Sequence, residues 1–351
     1  MFLNFIYCIL ISSVISFTLT PLIRNYFIFR GWVEDPLIRS KKSNNVTALT
    51  PVPRGGGISI FAGVVISSLI FLPVSKPIIG IVLASFITLI VGVWDDIKDI
   101  SPKLRLITNL LAALIVVGFG IGIAYISNPF GGVIDLSLFK YNFNLFGPHS
   151  IWILSDLLAI FWIIWCMNIT GWSAGVEGQL PGFVSISAIF IGLVGLRYSQ
   201  DSMQWPVIIL SAAVAGAYLG FLPHNFYPQS IMPGYSGKSL AGFLLAVLSI
   251  LSGAKLATLI LLMGVPMIDA TFVLFRRVWR HRPLLASDGQ HLHHLLLKAG
   301  WSRPKIAIFY WSISLFLGTV SLLLNSQQKF YVFGGLCLLF AGFVMAISRR
   351  T

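Results

Sequence analysis

The chain has 351 residues, 57% of them hydrophobic and only 10% charged, with a mean hydropathy of +0.89. Soluble globular domains carry about 25% charged residues, so this composition excludes one, and it supplies enough apolar residues for about ten spans of about 20 residues each. The net charge of +13 would point to nucleic acid in a soluble chain; here it is read first as membrane topology.

Apolar runs closed by Pro, Gly or charge clusters predict eleven spans: 2–23, 55–73, 77–94, 104–126, 151–170, 179–197, 204–222, 239–254, 256–275, 304–324 and 330–348. The first is kept as a span rather than a signal peptide, because its first basic residue, Arg24, follows it. Segment 127–150, with Asp135, alternating apolar residues and Asn/Gly/Pro breakers, predicts a small external β-hairpin without chemistry of its own. Cys8, Cys166 and Cys337 lie singly in apolar runs, which excludes a CxxC framework. The predicted fold class is therefore an all-α polytopic membrane protein, with residues 1–351 as one membrane-embedded domain.

An odd span count puts the termini on opposite sides and divides the loops into two sets. The set at about 24–54, 95–103, 171–178, 223–238 and 276–303, with Arg105, Lys305 and the Arg349-Arg350 tail, holds 19 of the 24 Lys and Arg residues. The positive-inside rule places it in the cytoplasm, with the N-terminus outside and the C-terminus inside. The +13 then reads as orientation and contact with anionic lipid, not as a nucleic-acid surface.

Most acidic residues fall on the same side. Asp95, Asp96 and Asp99 close the third span, and on a helical continuation Asp95 and Asp99 share a face. Such a cluster needs Lys or Arg neighbours, or a divalent cation such as Mg²⁺ holding a diphosphate; a solvated helix end balanced by Lys98, Lys103 and Arg105 is the plainer reading. Asp269, late in the ninth span, is a buried-carboxylate candidate. His291, His293 and His294, with Asp288, follow Arg276, Arg277, Arg280, His281 and Arg282 in the most basic loop. Without Cys they suit phosphate donors better than structural zinc, and a merely basic loop is the alternative. Arg54 before Gly55-Gly56-Gly57 allows a backbone approach to an anion or simply a tight turn. Gly237-Lys238-Ser239 is not a Walker site: Met232 stands where the first glycine is required, and no strand precedes it. Asn168 to Gly182 puts polar, glycine-rich backbone directly after the fifth span, where it must line a cavity or be covered by protein. Gly118, Gly120 and Gly122 suit helix packing, and small-residue faces of this kind are compatible with a homodimer.

Taken in this order, the segments resemble the polyprenyl-phosphate N-acetylhexosamine-1-phosphate transferase family, glycosyltransferase family 4. Gly92-Val-Trp-Asp95-Asp96-Ile-Lys-Asp99-Ile-Ser-Pro102-Lys-Leu-Arg105 is similar to the family's Asp-Asp-x-x-Asp signature. Pro266-Met-Ile-Asp269 and His291-Leu-His293-His294 resemble its Pro-x-x-Asp and His-x-His-His elements, and Pro53-Arg54-Gly55-Gly56-Gly57 its Pro-Arg-x-Gly-Gly run. The eleven-span, N-out count resembles the branch that starts O-antigen and teichoic acid chains. The resemblance implies transfer of a sugar 1-phosphate from a UDP-hexosamine to undecaprenyl or a similar polyprenyl phosphate at the cytoplasmic face of the plasma membrane, releasing UMP, with Mg²⁺.

By the same resemblance, Asp95, Asp96, Asp99, Arg105 and Asp269 would be catalytic, with Asp95, Asp96 and Glu177 as metal ligands. Arg54, Asn168, Glu177, Lys238, Arg276, Arg277, His291, His293 and His294 would bind substrate. Two departures stand out. The family's Asn-x-x-Asn-x-x-Asp-Gly-x-Asp-Gly aligns onto residues 168–178 with Gly171, Ala174 and Glu177 at three of its polar positions. Its Gly-Asp-x-Gly-Ser aligns onto Gly234-Tyr235-Ser236-Gly237-Lys238, with Tyr235 in place of a metal-ligating aspartate. A phenol of pKa about 10 is a poor Mg²⁺ ligand, so the cation would need the other carboxylates, or Lys238 would stand in as a fixed positive charge. Tyr235 and Ala174 also leave open a non-catalytic polyprenyl-phosphate or nucleotide-sugar binding protein. A transporter is suggested by span number alone.

Overall fold

The computed structural model describes residues 1–36, 50–144, 148–201, 204–252, 256–281 and 291–348; Arg282 and Asp288 lie outside the described residues. The helices among them are α1 (Phe2–Phe29), α2 (Gly56–Phe71), α3 (Lys76–Lys98), α4 (Pro102–Gly118), α5 (Ile153–Ser173), α6 (Gln179–Leu196), α7 (Trp205–Asn225), α8 (Gly234–Leu251), α9 (Leu256–Leu262), α10 (Gly264–Trp279), α11 (Leu292–Lys298), α12 (Arg303–Leu323) and α13 (Ser326–Ser348). Eight of them, α1, α3, α5, α6, α7, α8, α12 and α13, are long and apolar enough to cross a bilayer. The chain is a multi-pass helical membrane protein.

Each of the eleven predicted spans falls on helix, but not all as one full-length rod. The second is α2, of 16 residues. The fourth, predicted to reach residue 126, ends as α4 at Gly118. The ninth is broken, because α9 and α10 meet at 84° around Met263. Pro266 explains the break: it has no N–H to give, and its ring crowds the carbonyl four residues earlier, that of Leu262. The freed Leu262 carbonyl instead accepts the Ser314 hydroxyl of α12 at 3.1 Å.

The predicted hairpin over 127–150 is two antiparallel ladders. Strand β3 (Tyr125–Ser127) pairs with β4 (Val133–Asp135), and β5 (Lys140–Asn144) with β6 (Pro148–Trp152). A further pair was not anticipated: β1 (Val33–Glu34) runs antiparallel to β2 (Val52–Pro53), numbered first and second in the chain, and sets Glu34 beside Arg54.

Helix α8 is the hub, packed on α2, α3, α4, α5, α6, α7 and α9. Its residues from Ser239 to Val247 are all buried. Neighbours also grip its first turn: the Tyr218 hydroxyl of α7 donates to the Gly237 carbonyl at 2.6 Å, and the Thr170 hydroxyl of α5 to the Lys238 carbonyl at 2.9 Å. Polar groups at the start of α8 are thereby fixed relative to seven other helices.

Candidate active site

The ends of α3, α4 and α8 meet around two carboxylates. Helix α3 stops at Asp99, whose φ of 53° is left-handed and whose N–H bonds the Asp95 carbonyl at 2.7 Å. Pro102 then starts α4, with Ser101 as its cap, and the chain reverses. The reversal lays Arg105 across the acidic face: its Nε donates to Asp95 Oδ1 at 2.7 Å and its Nη2 to Asp99 Oδ1 at 2.8 Å. Carboxylates are unfavourable at a helix C-terminus, and Arg105 offsets that cost.

Asp96 is held differently. It ends its own helix but caps another, taking Tyr235 N–H at 2.5 Å on Oδ1, and Ser236 N–H at 3.3 Å and the Ser236 hydroxyl at 2.6 Å on Oδ2. Pro233 offers α8 no side-chain cap, so a carboxylate from α3 satisfies amides that would otherwise be unpaired and faces the positive end of the helix dipole. Gly234, at φ +68°, is required here, because a Cβ would collide with the Asp96 carboxylate and the Arg54 carbonyl.

Arg54 completes the cage. Its guanidinium lies 3.6 Å from Asp95 Oδ2, 3.7 Å from Asp96 Oδ1 and 3.4 Å from Glu34. Burial opposes its charge, but Asp96, Glu34, Asp95 and Asp99 outweigh burial and hold its pKa above the usual value. Asp95 Oδ2, fully buried, accepts no hydrogen bond among the described residues. The Tyr235 ring lies beneath the Arg105 guanidinium, 5.2 Å from its carbon, and its hydroxyl donates to Asn109 Oδ1 at 3.0 Å.

A second group forms behind the 174–178 loop. Asp269 on α10 accepts from His291 Nδ1 at 2.8 Å and from the Leu292 N–H at 2.9 Å, which fastens the start of α11. The His291 ring stacks between Trp172 and His293, with centroids 6.4 and 5.9 Å away. His293 is packed so closely on Gly175 that a Cβ there would enter its ring. Glu177 is clamped by Arg303 Nη1, 2.9 Å from both oxygens, and Asn225 accepts the Gly178 N–H at 3.1 Å.

Burial, with the nearby His294, His291 and Lys238 charges, holds the His293 pKa well below its usual 6.5, so the ring is neutral. The unfolded chain takes up a proton near pH 6.5 that the folded chain refuses, so acidification destabilises the fold, by up to about 1.4 kcal/mol per pH unit below about 6.5. Thermal melts of the purified protein between neutral and mildly acidic pH are expected to show this fall, and His293→Gln to flatten it; an unchanged slope in the variant would count against a buried neutral imidazole.

Between the two groups runs a cleft of about 90 Å³, lined among others by Arg54, Glu34, Glu177, Asn225, Gly175 and Lys238. Lys238 lies within electrostatic reach of Arg54, Glu34, Asp96 and Arg105 on one side and of His293 on the other. Of the residues singled out in the sequence, Arg54, Lys238 and Glu177 line the cleft; Asp95 and Asp96 reach it only through Arg54, with Arg105 and Asp99 linked to Asp95, and His293 packs on the lining Gly175, with His291 stacked on it and Asp269 bonded to His291. Asn168 does not line it; its amide bonds back to the Ile164 carbonyl of its own helix at 2.8 Å. Arg276, Arg277 and His294 do not line it either. Sequence reasoning took Arg303 only as one of the basic residues of the 276–303 loop, and missed Glu34, Asn109, Asn225 and Ser236. Only Asn225 and Ser236 carried a signal, as polar residues in the 223–238 loop.

The proposed metal set of Asp95, Asp96 and Glu177 is not arranged as a ligand sphere. Among the described residues no group of three or more His, Cys, Asp or Glu side chains is placed to hold a metal ion. The reason is local: the oxygens of Asp96 and Glu177 and one of Asp95 already accept from amides, a hydroxyl or arginines, so the donor set does not fit a divalent cation held by these residues.

Helices long and apolar enough to cross a membrane converge on a charged cleft lined by Arg54, Lys238, Glu34 and Glu177, with the Asp95-Asp96 pair beside Arg54, which defines a membrane-embedded protein with a candidate active site among its helix ends. The chain belongs to glycosyl transferase family 4, whose family pattern matches residues 78–253, half of the sequence, and it is a transferase. It is 28% identical over 309 residues to the probable undecaprenyl-phosphate N-acetylglucosaminyl 1-phosphate transferase of Bacillus subtilis, covering 86% of this chain and 80% of that one. It is 27% identical over 305 residues to a Mycobacterium tuberculosis decaprenyl-phosphate N-acetylglucosaminephosphotransferase, covering 78% and 71%. A Synechococcus phospho-N-acetylmuramoyl-pentapeptide-transferase is 26% identical over 324 residues, covering 84% of each chain.

Proposed function

We propose that this chain transfers N-acetylhexosamine 1-phosphate from a UDP-sugar to a polyprenyl phosphate at the cytoplasmic face of the plasma membrane, releasing UMP and starting a lipid-linked envelope glycan. The observation that carries the reading is the Asp95-Asp96 pair caged by Arg54 and Arg105 at the head of α8. The relatives' names, which specify undecaprenyl or decaprenyl phosphate and N-acetylglucosamine phosphate, support the substrate class. A common side for the basic loops, as an eleven-span, N-out arrangement requires, is supported by their convergence: all five of the basic-set loop segments supply residues to this one end, through Arg54, Arg105, Glu177, Lys238 and Arg303.

In this reading a lipid phosphate oxygen attacks the sugar-linked phosphorus of the UDP-sugar. A P–O bond forms there as the bond to the bridging oxygen breaks, and UMP leaves with that oxygen. Asp95 Oδ2, without a hydrogen bond of its own, accepts the proton if the lipid phosphate carries one. Arg54 and Lys238 face the diphosphate and oppose the charge that develops on the leaving oxygen. The glycine-backed His293 and the fixed His291 form the wall towards the nucleotide. The test is UMP release by purified protein given undecaprenyl phosphate and a panel of UDP-hexosamines. Release with one donor identifies the sugar; no release with any donor, despite binding of the lipid phosphate, would leave the non-catalytic reading.

A further inference from the structure

We infer that Lys238, together with Arg54, supplies the positive charge that a protein-held divalent cation would otherwise bring to the diphosphate, so that transfer proceeds without added metal. The inference rests on the transferase reading above and concerns the same cleft.

Three observations carry it. First, the oxygens of the three carboxylates expected to hold the metal are, with one exception, already engaged, and the cleft's other carboxylate, Glu34, is ion-paired with Arg54 at 3.4 Å. Asp96 uses both as acceptors for the first turn of α8, Glu177 gives both to Arg303, and Asp95 gives Oδ1 to Arg105 and to the Ile100 N–H. A divalent cation would have to break a helix cap or an arginine pair to reach them. The remaining oxygen, Asp95 Oδ2, faces the Arg54 guanidinium at 3.6 Å.

Second, the place where a metal-binding carboxylate could project from the head of α8 holds a phenol already engaged. The Tyr235 hydroxyl donates to Asn109, and its ring carries Arg105. A neutral phenol offers a divalent cation little.

Third, one helical turn further on, the same helix presents a cation to the cleft. Among the described residues the Lys238 ammonium has no hydrogen-bond or ion-pair partner, although it lines the cleft and feels Asp96 and Glu34 across it. Arg54, fixed by Glu34, Asp95 and Asp96, stands opposite. Two protein cations flanking a site of this size match a diphosphate: a lysine acts as a point charge on phosphate oxygens, and a guanidinium makes directed pairs. Neither charge leaves on dialysis.

The experiment has two readouts, turnover and binding of UDP, each measured in EDTA and in Mg²⁺. The wild-type protein is expected to release UMP in EDTA at the rate seen with Mg²⁺, and to bind UDP equally well in both. Lys238→Ala is expected to lose about 100-fold or more in turnover, the cost of removing one preorganised charge-stabilising group, and to bind UDP about tenfold more weakly. Lys238→Arg, which keeps the charge and the cleft-facing position, recovers most of the UDP binding and shows that the loss in Lys238→Ala is not misfolding. Wild-type turnover that disappears in EDTA and returns with Mg²⁺ overturns the inference while leaving the transferase reading intact. If no donor gives turnover in either buffer, the transferase reading fails instead, and UDP binding alone decides: metal-dependent binding, or binding unaffected by Lys238→Ala, refutes the role of Lys238.

Discussion

Asp96→Asn is expected to lower turnover by at least about 100-fold and to lower the melting temperature as well. The double effect follows from what the side chain touches. Its two oxygens accept from Tyr235 N–H, Ser236 N–H and the Ser236 hydroxyl, and Arg54 lies 3.7 Å away. A carboxamide keeps one acceptor but turns an NH₂ towards donors, leaving a buried amide unpaired and Arg54 with one less counter-charge. Removing one partner of a buried charged pair costs about 3–5 kcal/mol. Because α8 also carries Lys238, loosening its first turn displaces a cleft charge. Ser236→Ala removes only the hydroxyl and is expected to cost about 1 kcal/mol with a smaller loss of turnover. A melting temperature unchanged in Asp96→Asn would mean that the cap is not structural, and unchanged turnover would remove Asp96 from the active site.

Asp269→Asn is expected to reduce turnover by about 5- to 150-fold, the rate equivalent of leaving one buried hydrogen-bonding group mismatched at about 1–3 kcal/mol. Asp269 accepts from both His291 Nδ1 and the Leu292 N–H. Asparagine can still accept the amide, but its NH₂ then faces His291 Nδ1 and forces the proton to the other ring nitrogen. The stability cost is smaller than for Asp96 because the amide remains paired. His291→Ala should reproduce the loss, and the double variant should be no worse than either alone. Additive losses would show that Asp269 acts on its own rather than through His291.

The residues that proved readable in the sequence share one property: their chemistry is expensive in an apolar chain. Asp95, Asp96, Asp99, Asp269, Glu177 and Lys238 stand out because charged groups are scarce in so apolar a chain and, in or beside its spans, call for partners or a cavity. The broken ninth span carried its own signal in Pro266, but an apolar run has the same periodicity whether it is straight or bent by 84°. Glu34 carried no signal at all, since its place beside Arg54 depends on the β1–β2 pairing between chain segments 33–34 and 52–53. Asn168, attractive as a polar residue after an apolar span, bonds back to its own helix instead.

Composition and the spacing of apolar runs by themselves determined that this protein crosses a membrane many times and which loops carry the positive charge. Burial of helical backbone in lipid leaves few alternatives, and charge is too costly there to be incidental. Only the tertiary structure decided what the charged groups do to one another. Through-space contacts made Asp96 the cap of a helix almost 140 residues away, gave Glu177 to Arg303 and Asp95 to Arg105, and set Lys238 on the cleft beside Arg54. Local sequence records the identity of each donor and acceptor, whereas the pairing among them is set by which helix ends the packing brings together.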